Sequence, residues 1–460
     1  MRKTFFLTTA ILLLLPAIIL SATSTINFST THQVIDGFGG SSAWCPAYDA
    51  ATADALFGNA ANQVGFTILR LRIDPNNNWA TEKTNATMAK ARGATVFATP
   101  WSPPPAYKTV NNVVGGAINT AHFADFAAWM KSFWTNLGSA NVDIMSLQNE
   151  PDWSPNYECC SWTAQNFDDF CKTYAPQIGK PIMMPESMNY TYAVSNTALN
   201  DATAAANITY IGGHLYGGIP GTAYTLALNL GKHVWETEHY IDNDGATQCM
   251  QVASEIMACM NNLNMSAYCW WWMTYNNNAT ALIVNGSLTH RAWVIGQFSK
   301  WVRPGFVRVD ATYAPQAGVN VVAFKGNKYV IVAENSNTTS QSVTFTCSNA
   351  TIPSVTKYTS SQTKNGANDG TITATTNSFT TNLDAQSVTT FVSTNTVSIM
   401  NPYRGVEKPY GIATTNAAAH FVYLINGKRF SLKGLNEQGK PAPGIYIMPG
   451  KAQVSVGSNK

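Results

Sequence analysis

Residues 145–153 read Met-Ser-Leu-Gln-Asn-Glu-Pro-Asp-Trp. The apolar run at 142–147 predicts a short buried strand that ends on an amide, a carboxylate and a proline. A second stretch of this form, at 232–240, contains Glu238. Two acidic strand ends separated by several strand–helix units predict that Glu150 and Glu238 face each other across a barrel mouth. The alternative is that Glu150 caps the next helix and Glu238 forms a surface ion pair.

Strand-like and helix-like patterns alternate on both sides of these stretches. The residues at 123–137 have apolar side chains on one helical face, and further helices are predicted at about 163–177, 245–262 and 289–302. Eight short strands alternating with helices predict a (β/α)8 TIM barrel over residues 34–304. The strands are expected within 33–40 (a strand running into a glycine turn), 66–75, 94–99, 142–147, 181–187, 208–216, 232–240 and 267–272.

The pattern changes after residue 304. Residues 305–395 contain β-strand patterns separated by turn residues, so we expect a small antiparallel β-sandwich side domain that residues 23–33 also join. Residues 396–460 then carry eight basic and only two acidic side chains. This short basic C-terminal module is interpreted as an attachment module for an anionic surface or as a sorting signal. The alternative is a solvated tail.

Composition limits the classes of function. The 460 residues are 45% hydrophobic and only 12% charged, which predicts a large core and more than one domain. The net charge of +3 argues against nucleic acid as the main partner. The chain is rich in Trp, Tyr and Phe, whose planes suit the flat apolar faces of sugars, although most of these rings should be core.

Residues 1–22 predict an export signal. Arg2 and Lys3 precede an apolar run that Pro16 interrupts, and small residues at 20–22 suit a cleavage site. The alternative to an export signal is a membrane anchor. The apolar run is shorter than the ~20 residues that a membrane-spanning helix needs, so the export signal is favoured. We therefore expect a secreted protein, with the C-terminal module as a means of cell-surface association.

Eight cysteines lie beyond the predicted signal. Their number permits disulfides in an exported chain, but sequence cannot pair them. None shows the ligand spacing of a zinc module, so no metal site is expected. No cofactor is expected either. The cysteines are Cys45, Cys159, Cys160, Cys171, Cys249, Cys259, Cys269 and Cys347.

The two acidic strand ends suit hydrolysis of a glycosidic bond with retention of configuration, which needs a proton donor and a nucleophile about 5–5.5 Å apart. Glu150 is the expected acid, because Asn149 and Trp153 can shield it from water and raise its pKa. Glu238 is then the nucleophile, and Asn149 would bind the sugar 2-hydroxyl. Glu186 and Glu236 are rival carboxylates, and we assign both a structural or supporting role.

At these residues the chain resembles glycoside hydrolase family 30, and most closely its bacterial xylanase branch. The resemblance covers about residues 24–395. It implies a barrel with an attached β side domain and endo-β-1,4-xylanase activity on plant cell-wall xylan. The motifs that carry it are Val34–Trp44, Ala98–Pro104, Gln148–Trp153, Gly212–Tyr216, Thr237–Tyr240 and Val302–Gly305.

The resemblance also implies further site residues. Arg72 would support the nucleophile end of the site. The predicted cleft residues are Trp44, Trp101, Trp153, His214, Tyr216, Tyr240 and Trp272.

The chain departs from the branch at one point. Glucuronoxylanases of this branch hold the glucuronic acid branch of xylan with an arginine after strand eight, together with a tyrosine and a serine. Here Tyr240 is kept, Asn243 stands at the serine position, and no Arg or Lys occurs from Met273 to His290. A carboxylate without a guanidinium partner loses its strongest contact. We therefore expect a xylanase that does not strictly depend on glucuronate. We also expect the protein to be a monomer.

The sequence leaves three alternatives for function. A glucuronoxylan-specific endoxylanase would require the glucuronate branch that the expected enzyme does not. Another β-glycosidase of the family, similar to a glucosylceramidase, would act on a different glycoside. A carbohydrate-binding or surface protein would have a dead barrel, and the presence of both acids argues against it.

Overall fold

The structure is a computed structural model that describes residues 21–275 and 279–397, together with four short strands between residues 421 and 455. The chain divides into two compact units, Met1–Pro402 and Tyr403–Lys460. The predicted export signal, apart from its last two residues, lies outside the described part. Within that part, no helix has both the length and the apolar character that a membrane span requires.

Eight parallel strands form a closed barrel in the first unit, which confirms the predicted fold. β1 (Ala22–Val34) belongs to the side sheet, and the last barrel strand pairs in parallel with the first. The barrel strands are β2 (Gly37–Ser41), β3 (Ile68–Arg72), β4 (Thr95–Thr99), β5 (Ile144–Ser146), β6 (Ile182–Ser187), β7 (Tyr210–His214), β8 (His233–His239) and β9 (Ala267–Trp270).

Helices connect successive barrel strands. On α3 the predicted apolar face is fully buried, as its spacing required. The helices are α1 (Ala50–Phe57), α2 (Ala80–Lys90), α3 (Phe123–Leu137), α4 (Ala164–Thr173), α5 (Ala175–Ile178), α6 (Ala193–Asn200), α7 (Ala202–Ala206), α8 (Thr225–Asn229), α9 (Ala246–Asn261) and α10 (His290–Ser299). Short 3-10 turns lie at Pro105–Tyr107, Thr120–His122 and Ser139–Asn141.

The first barrel strand differs from the prediction. We expected residues 33–40 to run into a glycine turn, but the glycines themselves form β2, while β1 ends at Val34. The reason is a close approach of neighbouring backbones. A Cβ at Gly39 would lie 1.9 Å from the carbonyl oxygen of Ile68, and one at Gly40 would lie 2.7 Å from that of Trp270. Glycine therefore lets β2 fit between β3 and β9.

One apolar cluster joins several barrel strands, and the polar site follows it along β3. Ile68 of β3 belongs to this buried cluster. Arg70 and Arg72 follow it along the strand at intervals of two residues. Side chains alternate along a strand, so all three share one face. The chain thus changes from apolar to charged as β3 approaches its carboxyl end. The remaining buried members of the cluster are Phe97, Ile144, Met183, Trp235, Ala267 and Cys269.

The side domain is one nine-stranded sheet, mostly antiparallel, in which β1 pairs antiparallel with β12 (Val307–Ala311) and parallel with β15 (Gln341–Ser348). Its two ends pack together, since the Phe345 ring lies 5.0 Å from that of Phe391 and the Phe379 ring lies 5.3 Å from it. A hairpin of β10 (Ile283–Val284) and β11 (Ser287–Leu288) precedes it. The strands after β1 are β12 (Val307–Ala311), β13 (Val319–Lys325), β14 (Tyr329–Asn335), β15 (Gln341–Ser348), β16 (Ser354–Ser360), β17 (Ala367–Thr373), β18 (Ser378–Leu383) and β19 (Ser387–Ser393).

In the second unit the structure describes two strand pairs. β20 (Phe421–Tyr423) pairs with β21 (Arg429–Ser431), and β22 (Tyr446–Ile447) pairs with β23 (Val454–Ser455). The other residues from 398 onward lie outside the described part, so the attachment role stays a prediction.

All eight cysteines are free and buried. The disulfides that the cysteine count permitted are therefore not formed. Burial raises the pKa of the Cys45 thiol and that of Cys160 to about 12, so both are neutral thiols.

Candidate active site

Glu150 lies just after β5, and hydrogen bonds to two neighbouring strand ends fix its backbone. The N–H of Asn149 donates to the carbonyl of Pro100 over 2.9 Å, and that of Glu150 donates to the carbonyl of Glu186 over 3.0 Å. Glu150 has a φ of +45°, a left-handed backbone conformation that residues other than glycine rarely adopt. Such strain persists where surrounding contacts enforce it, and it is common at functional sites. The Glu150 carboxyl is almost entirely buried.

Glu238 lies on β8, next to an irregularity in the strand pairing between residues 236 and 239. The hydroxyl of Tyr216 donates to its Oε1 over 2.9 Å, and the guanidinium of Arg70 donates to its Oε2. One oxygen of Glu150 lies within 4.8 Å of one oxygen of Glu238. The two predicted carboxyls therefore face each other as the sequence indicated.

Arg70 organises the site from below. Its guanidinium contacts Glu238, donates to Asn149 Oδ1 over 2.6 Å and lies 2.8 Å from Glu186 Oε2. The ring of Trp101 covers it, with the guanidinium carbon 4.5 Å from the ring centroid. Because Arg70 is fully buried and offers a rigid fork of donors, it fixes the orientation of three site residues at once.

His214, at the end of β7, is a second buried cation. Its Nδ1 lies 3.0 Å from Glu150 Oε1, and its Nε2 lies 3.5 Å from Glu186 Oε2. Burial alone would lower the pKa of His214. The surrounding carboxylates, Glu238 first, outweigh burial and raise its pKa to about 10. The side chain is therefore an imidazolium at neutral pH.

The charges of this cluster identify the carboxyl that holds a proton. Burial would raise the pKa of Glu186, but Arg70 and His214 lower it to about 2. Burial raises the pKa of Glu150, and the nearby Glu238 adds to the rise although His214 and Arg70 oppose it. With Arg70 and His214 positive, two carboxylates complete a neutral cluster. Glu238 is held against Arg70 and Glu186 is ionised, so Glu150 is the group suited to carry a proton.

The rival carboxylate Glu236 is placed away from the cleft. It is fully buried, and its Oε2 accepts from the backbone N–H of Cys269 over 2.9 Å. Burial raises the pKa of Glu236 well above its ordinary value, which favours the neutral acid. Glu186 likewise contacts Arg70 and His214 from below. These positions suit the supporting roles predicted for both residues.

Geometry alone would let Glu150, His214 and Glu238 share a metal ion, because one potential ligand atom from each lies within 4.8 Å of the others. A histidine must be neutral to bind a metal. The pKa of His214 is raised to about 10, and its two nitrogens point at carboxylates. The donor set therefore suits a proton-bearing cluster better than a cation site.

Comparison with known proteins agrees with this geometry. No protein-family model matches the chain. It is 36% identical to the glucuronoxylanase XynC of Bacillus subtilis (strain 168) over 392 residues, which is 80% of this chain and 91% of that protein. The crystal structure of the glycoside hydrolase family 30 subfamily 8 xylanase Xyn30A from Clostridium acetobutylicum is similar with 42% identity and a TM-score of 0.77. The match covers 81% of this chain and all of that one.

The chain belongs to glycoside hydrolase family 30. A further similar structure is the family 30 endoxylanase from Clostridium papyrosolvens C71, at 36% identity and a TM-score of 0.75. That match covers 81% of this chain and 99% of the other. The predicted family is thereby confirmed, and the protein is a glycoside hydrolase.

Aromatic side chains form the rim of this family 30 site. Trp44, Trp153 and Tyr240 are 38%, 45% and 36% exposed, which suits rings that stack on a sugar. The ring of Tyr240 lies 5.7 Å from that of Tyr216, which contacts Glu238. Trp272 is half-buried, with its ring 4.3 Å from that of Trp271. Four of the predicted aromatic residues thus offer surface at the cleft.

Trp101 and His214 lie deeper than the prediction of cleft residues implied. Trp101 is 2% exposed and packs on Arg70, and His214 is fully buried against Glu150. Both lie at the predicted site, where Trp101 packs on Arg70 and His214 contacts Glu150 and Glu186. Their depth follows from strand ends that lie at different heights in the barrel, which a linear pattern does not show.

The prediction for Arg72 is wrong. Its guanidinium pairs with Asp74 over 2.9 Å and with Glu158, and it lies 4.8 Å from the centroid of the Trp44 ring. Arg70 contacts Glu238 instead. Both arginines lie on one face of β3, and only their depth in the barrel distinguishes them.

Two site residues were missed by the sequence reasoning. Arg70 carried a usable signal, since it shares a face with Arg72 and lies one layer deeper. Tyr157 did not: it lies in the irregular segment after β5, and its hydroxyl is 3.4 Å from Glu150 Oε2. Only the folded loop brings this hydroxyl back to the acid seven residues earlier.

Proposed function

We propose that this protein is a retaining endo-β-1,4-xylanase. The observation that carries the proposal is the pair Glu150 and Glu238, with oxygens within 4.8 Å and different electrostatic surroundings. Retaining enzymes place their two carboxyls about 5–5.5 Å apart, whereas inverting enzymes need about 6.5–9.5 Å for a water molecule. Xylan as substrate is supported by the relatives, which are described as a glucuronoxylanase and as family 30 xylanases.

In the first step, Glu150 gives its proton to the leaving glycosidic oxygen while the Glu238 carboxylate attacks the anomeric carbon. Arg70 and Tyr216 hold the two Glu238 oxygens, which aims the carboxylate. Asn149 Oδ1 accepts from Arg70, so its amide N–H₂ is left to donate to the sugar 2-hydroxyl. A hydrogen bond there strengthens as positive charge develops on the sugar ring.

In the second step, Glu150 acts as the base. It removes a proton from water, which attacks the anomeric carbon and releases Glu238 as a carboxylate. His214 stabilises the ionised form of Glu150 between the two steps, because its imidazolium lies 3.0 Å away. The hydroxyl of Tyr157 adds a neutral donor on the other oxygen.

Cleavage without strict dependence on glucuronate is the finer part of the proposal. No Arg or Lys occurs from Met273 to His290. The next cation, Arg291, is buried and donates to the carbonyls of Ile241 over 2.8 Å and Ala279 over 2.9 Å. It is thus committed to the fold. Tyr240 offers only a neutral group to a glucuronate carboxylate.

A glucuronoxylan-specific enzyme is the second candidate, and the glucuronoxylanase named among the relatives favours it. Rates on linear β-1,4-xylan, glucuronoxylan and an aryl β-glucoside, measured side by side, separate the alternatives. We expect similar rates on both xylans, internal cleavage, and fresh products of β configuration by NMR. Products that all carry glucuronate at one fixed position would support the second candidate. Hydrolysis of the aryl β-glucoside alone would indicate another β-glycosidase, and no hydrolysis at all would indicate a binding protein.

The export and surface roles are further parts of the proposal. Residues 1–22 have the pattern of a cleaved export signal, and cleavage after Ala22 leaves nearly all of β1 to pair with β15. N-terminal sequencing of the protein recovered from the culture medium tests this, and a start at Thr23 is expected. An uncleaved protein retained inside the cell would contradict export.

A further inference from the structure

A cavity of about 320 Å³ lies where α9 faces the side sheet, next to the catalytic cleft. The loops after β7 and β8 contribute to its lining. Ile219 follows Tyr216 by three residues, and Ile241 is the neighbour of Tyr240. The residues that matter for what the cavity can hold are Ile219, Ile241, Gln251, Glu255, Ser336 and Gln386.

Glu255 belongs to the lining of this cavity, and one of its carboxyl oxygens has no hydrogen-bond partner among the described residues. It is 7% exposed. The hydroxyl of Tyr268 lies 2.7 Å and the Nδ1 of His239 lies 2.8 Å from the same atom, Oε1. No side chain in the described part of the chain donates to Oε2. Oε2 is therefore the oxygen that can accept a hydrogen bond from a hydroxyl group of an occupant.

The two walls of the cavity are held in place before any ligand binds. On the barrel side, the hydroxyl of Ser254 on α9 donates to the buried Glu334 of β14 over 2.6 Å. On the sheet side, the N–H of Gln386 donates to the carbonyl of Asn337 over 2.9 Å. Rigid walls lower the entropy lost on binding, which is a property of built ligand sites.

The lining selects a neutral ligand with many hydroxyl groups. Gln251 and Gln386 offer amides, Ser336 offers a hydroxyl, and Ile219 and Ile241 offer an apolar surface. Among the described residues, the lining contains one acidic side chain and no Lys, Arg or His, so it offers no cation to an acidic ligand. Sugar rings have both the hydroxyl edge and the apolar face that such a lining matches.

We propose that this cavity is an accessory subsite for a neutral sugar unit of the polysaccharide that the cleft cleaves. The inference rests on the proposed function, because it assumes that the cleft cleaves a polysaccharide. The cavity is lined in part by the loops that contain Tyr216 and Tyr240. It differs from the glucuronate position considered above, which involves Asn243 and the segment after β9. The subsite holds a part of a long substrate that lies beyond the sugars at the cleavage point.

Kinetics on long and short substrates test the subsite. Gln251 is exposed on α9, and Gln251→Trp fills the cavity; Asn262→Trp, exposed at the end of the same helix, is the matched control. We expect Gln251→Trp to raise KM for polymeric xylan about fivefold, the effect of roughly one hydrogen bond, with kcat unchanged. Gln386→Ala should act in the same direction. Rates on xylotetraose should stay within about twofold of the starting protein.

Three outcomes decide the proposal. A selective rise of KM on the polymer in both cavity variants, absent in Asn262→Trp, supports the subsite. Unchanged KM on the polymer, or equal losses on polymer and xylotetraose, overturns it. If the unaltered protein cleaves neither substrate, the proposed function itself is wrong, and that failure is visible before any variant is made.

Discussion

At the scale of single residues, the site depends on where one proton and two buried cations lie. Arg70 and His214 lower the pKa of Glu186, Arg70 also contacts Glu238, and burial raises the pKa of Glu150. Two identical side chains therefore have opposite roles. The difference comes from their partners, since Glu238 is held by a guanidinium and a phenol, and Glu150 by a histidine and a distant hydroxyl.

Loss of either acid should abolish polysaccharide hydrolysis without unfolding the protein. We expect Glu150→Gln and Glu238→Gln each to lower kcat on xylan at least about a thousandfold, the scale of general acid catalysis. Azide should restore turnover of Glu238→Gly with an α-glycosyl azide product, and of a Glu150 variant on activated aryl glycosides only. Near-normal turnover of either Gln variant would refute the role of that residue.

The pH profile should report the proton on Glu150. Activity requires this carboxyl to be protonated, so kcat/KM falls as pH rises through its raised pKa. His214 lowers the pKa of Glu150 through its hydrogen bond and charge. His214→Asn removes the positive charge, so the alkaline limb should move to higher pH while kcat falls. A limb that stays fixed, or moves to lower pH, would show that another group carries the proton.

Arg70 and Arg72 form a matched pair for a stability test. Arg70 is fully buried among three side chains, and its removal leaves uncompensated buried carboxylates. Arg70→Met should lower the free energy of unfolding by about 3–5 kcal/mol, and Arg72→Met by about 1 kcal/mol. Denaturant titrations followed by Trp fluorescence measure both. Equal losses would mean that the burial of Arg70 is not decisive.

At the scale of elements, β2 shows how a backbone contact sets composition. Gly39 approaches Ile68 so closely that no side chain fits between β2 and β3. In β8, an irregular pairing with β9 accompanies the placement of Glu238 at the cleft and of Glu236 in the interior. Local departures from regular strand geometry therefore place the functional groups.

A glycine substitution in β2 should cost far more than one on the surface. In Gly39→Ala the new Cβ would lie 1.9 Å from a backbone oxygen, so β2 or β3 must shift. We expect a loss of about 3 kcal/mol or more, at the upper end for overpacked cores. Gly221→Ala is the control, because its Cβ meets nothing within 4 Å and it should change stability by less than about 0.5 kcal/mol. Thermal melts that do not differ would contradict the close approach.

At the scale of the whole molecule, the barrel and side sheet belong to one unit, and the excess of basic over acidic residues lies in the C-terminal module. Val397 still belongs to the first unit, since its N–H donates to the carbonyl of Asn327 over 2.9 Å. The catalytic unit therefore ends a little after the boundary at residue 395 that we predicted. The eight basic residues of the C-terminal module follow this point.

Truncation after Val397 should separate catalysis from attachment. The shortened protein is expected to keep full activity on soluble xylan and to lose retention on cell envelopes at low salt. Retention of the full-length protein should weaken as salt rises, because the Debye length is about 10 Å near 0.1 M. Equal retention of both forms at low salt would remove the attachment role. A loss of soluble activity would place the module in the catalytic unit.

The sequence by itself determined the barrel, the side sheet and the two acids. Periodicity along single strands and helices carries that information: the apolar face of α3 and the acidic ends near Glu150 and Glu238 are visible in a linear chain. Local chemistry was enough wherever neighbours in sequence are also neighbours in space.

Only the tertiary structure decided depth and partnership. Arg70, and not Arg72, contacts Glu238, and Trp101 and His214 are buried beneath the cleft. The glycines at 37–40 form part of strand β2, and the hydroxyl of Tyr157 lies close to Glu150. These features depend on the heights at which different strands end and on how closely they approach. Such distances join residues far apart in the chain, so no local pattern can encode them.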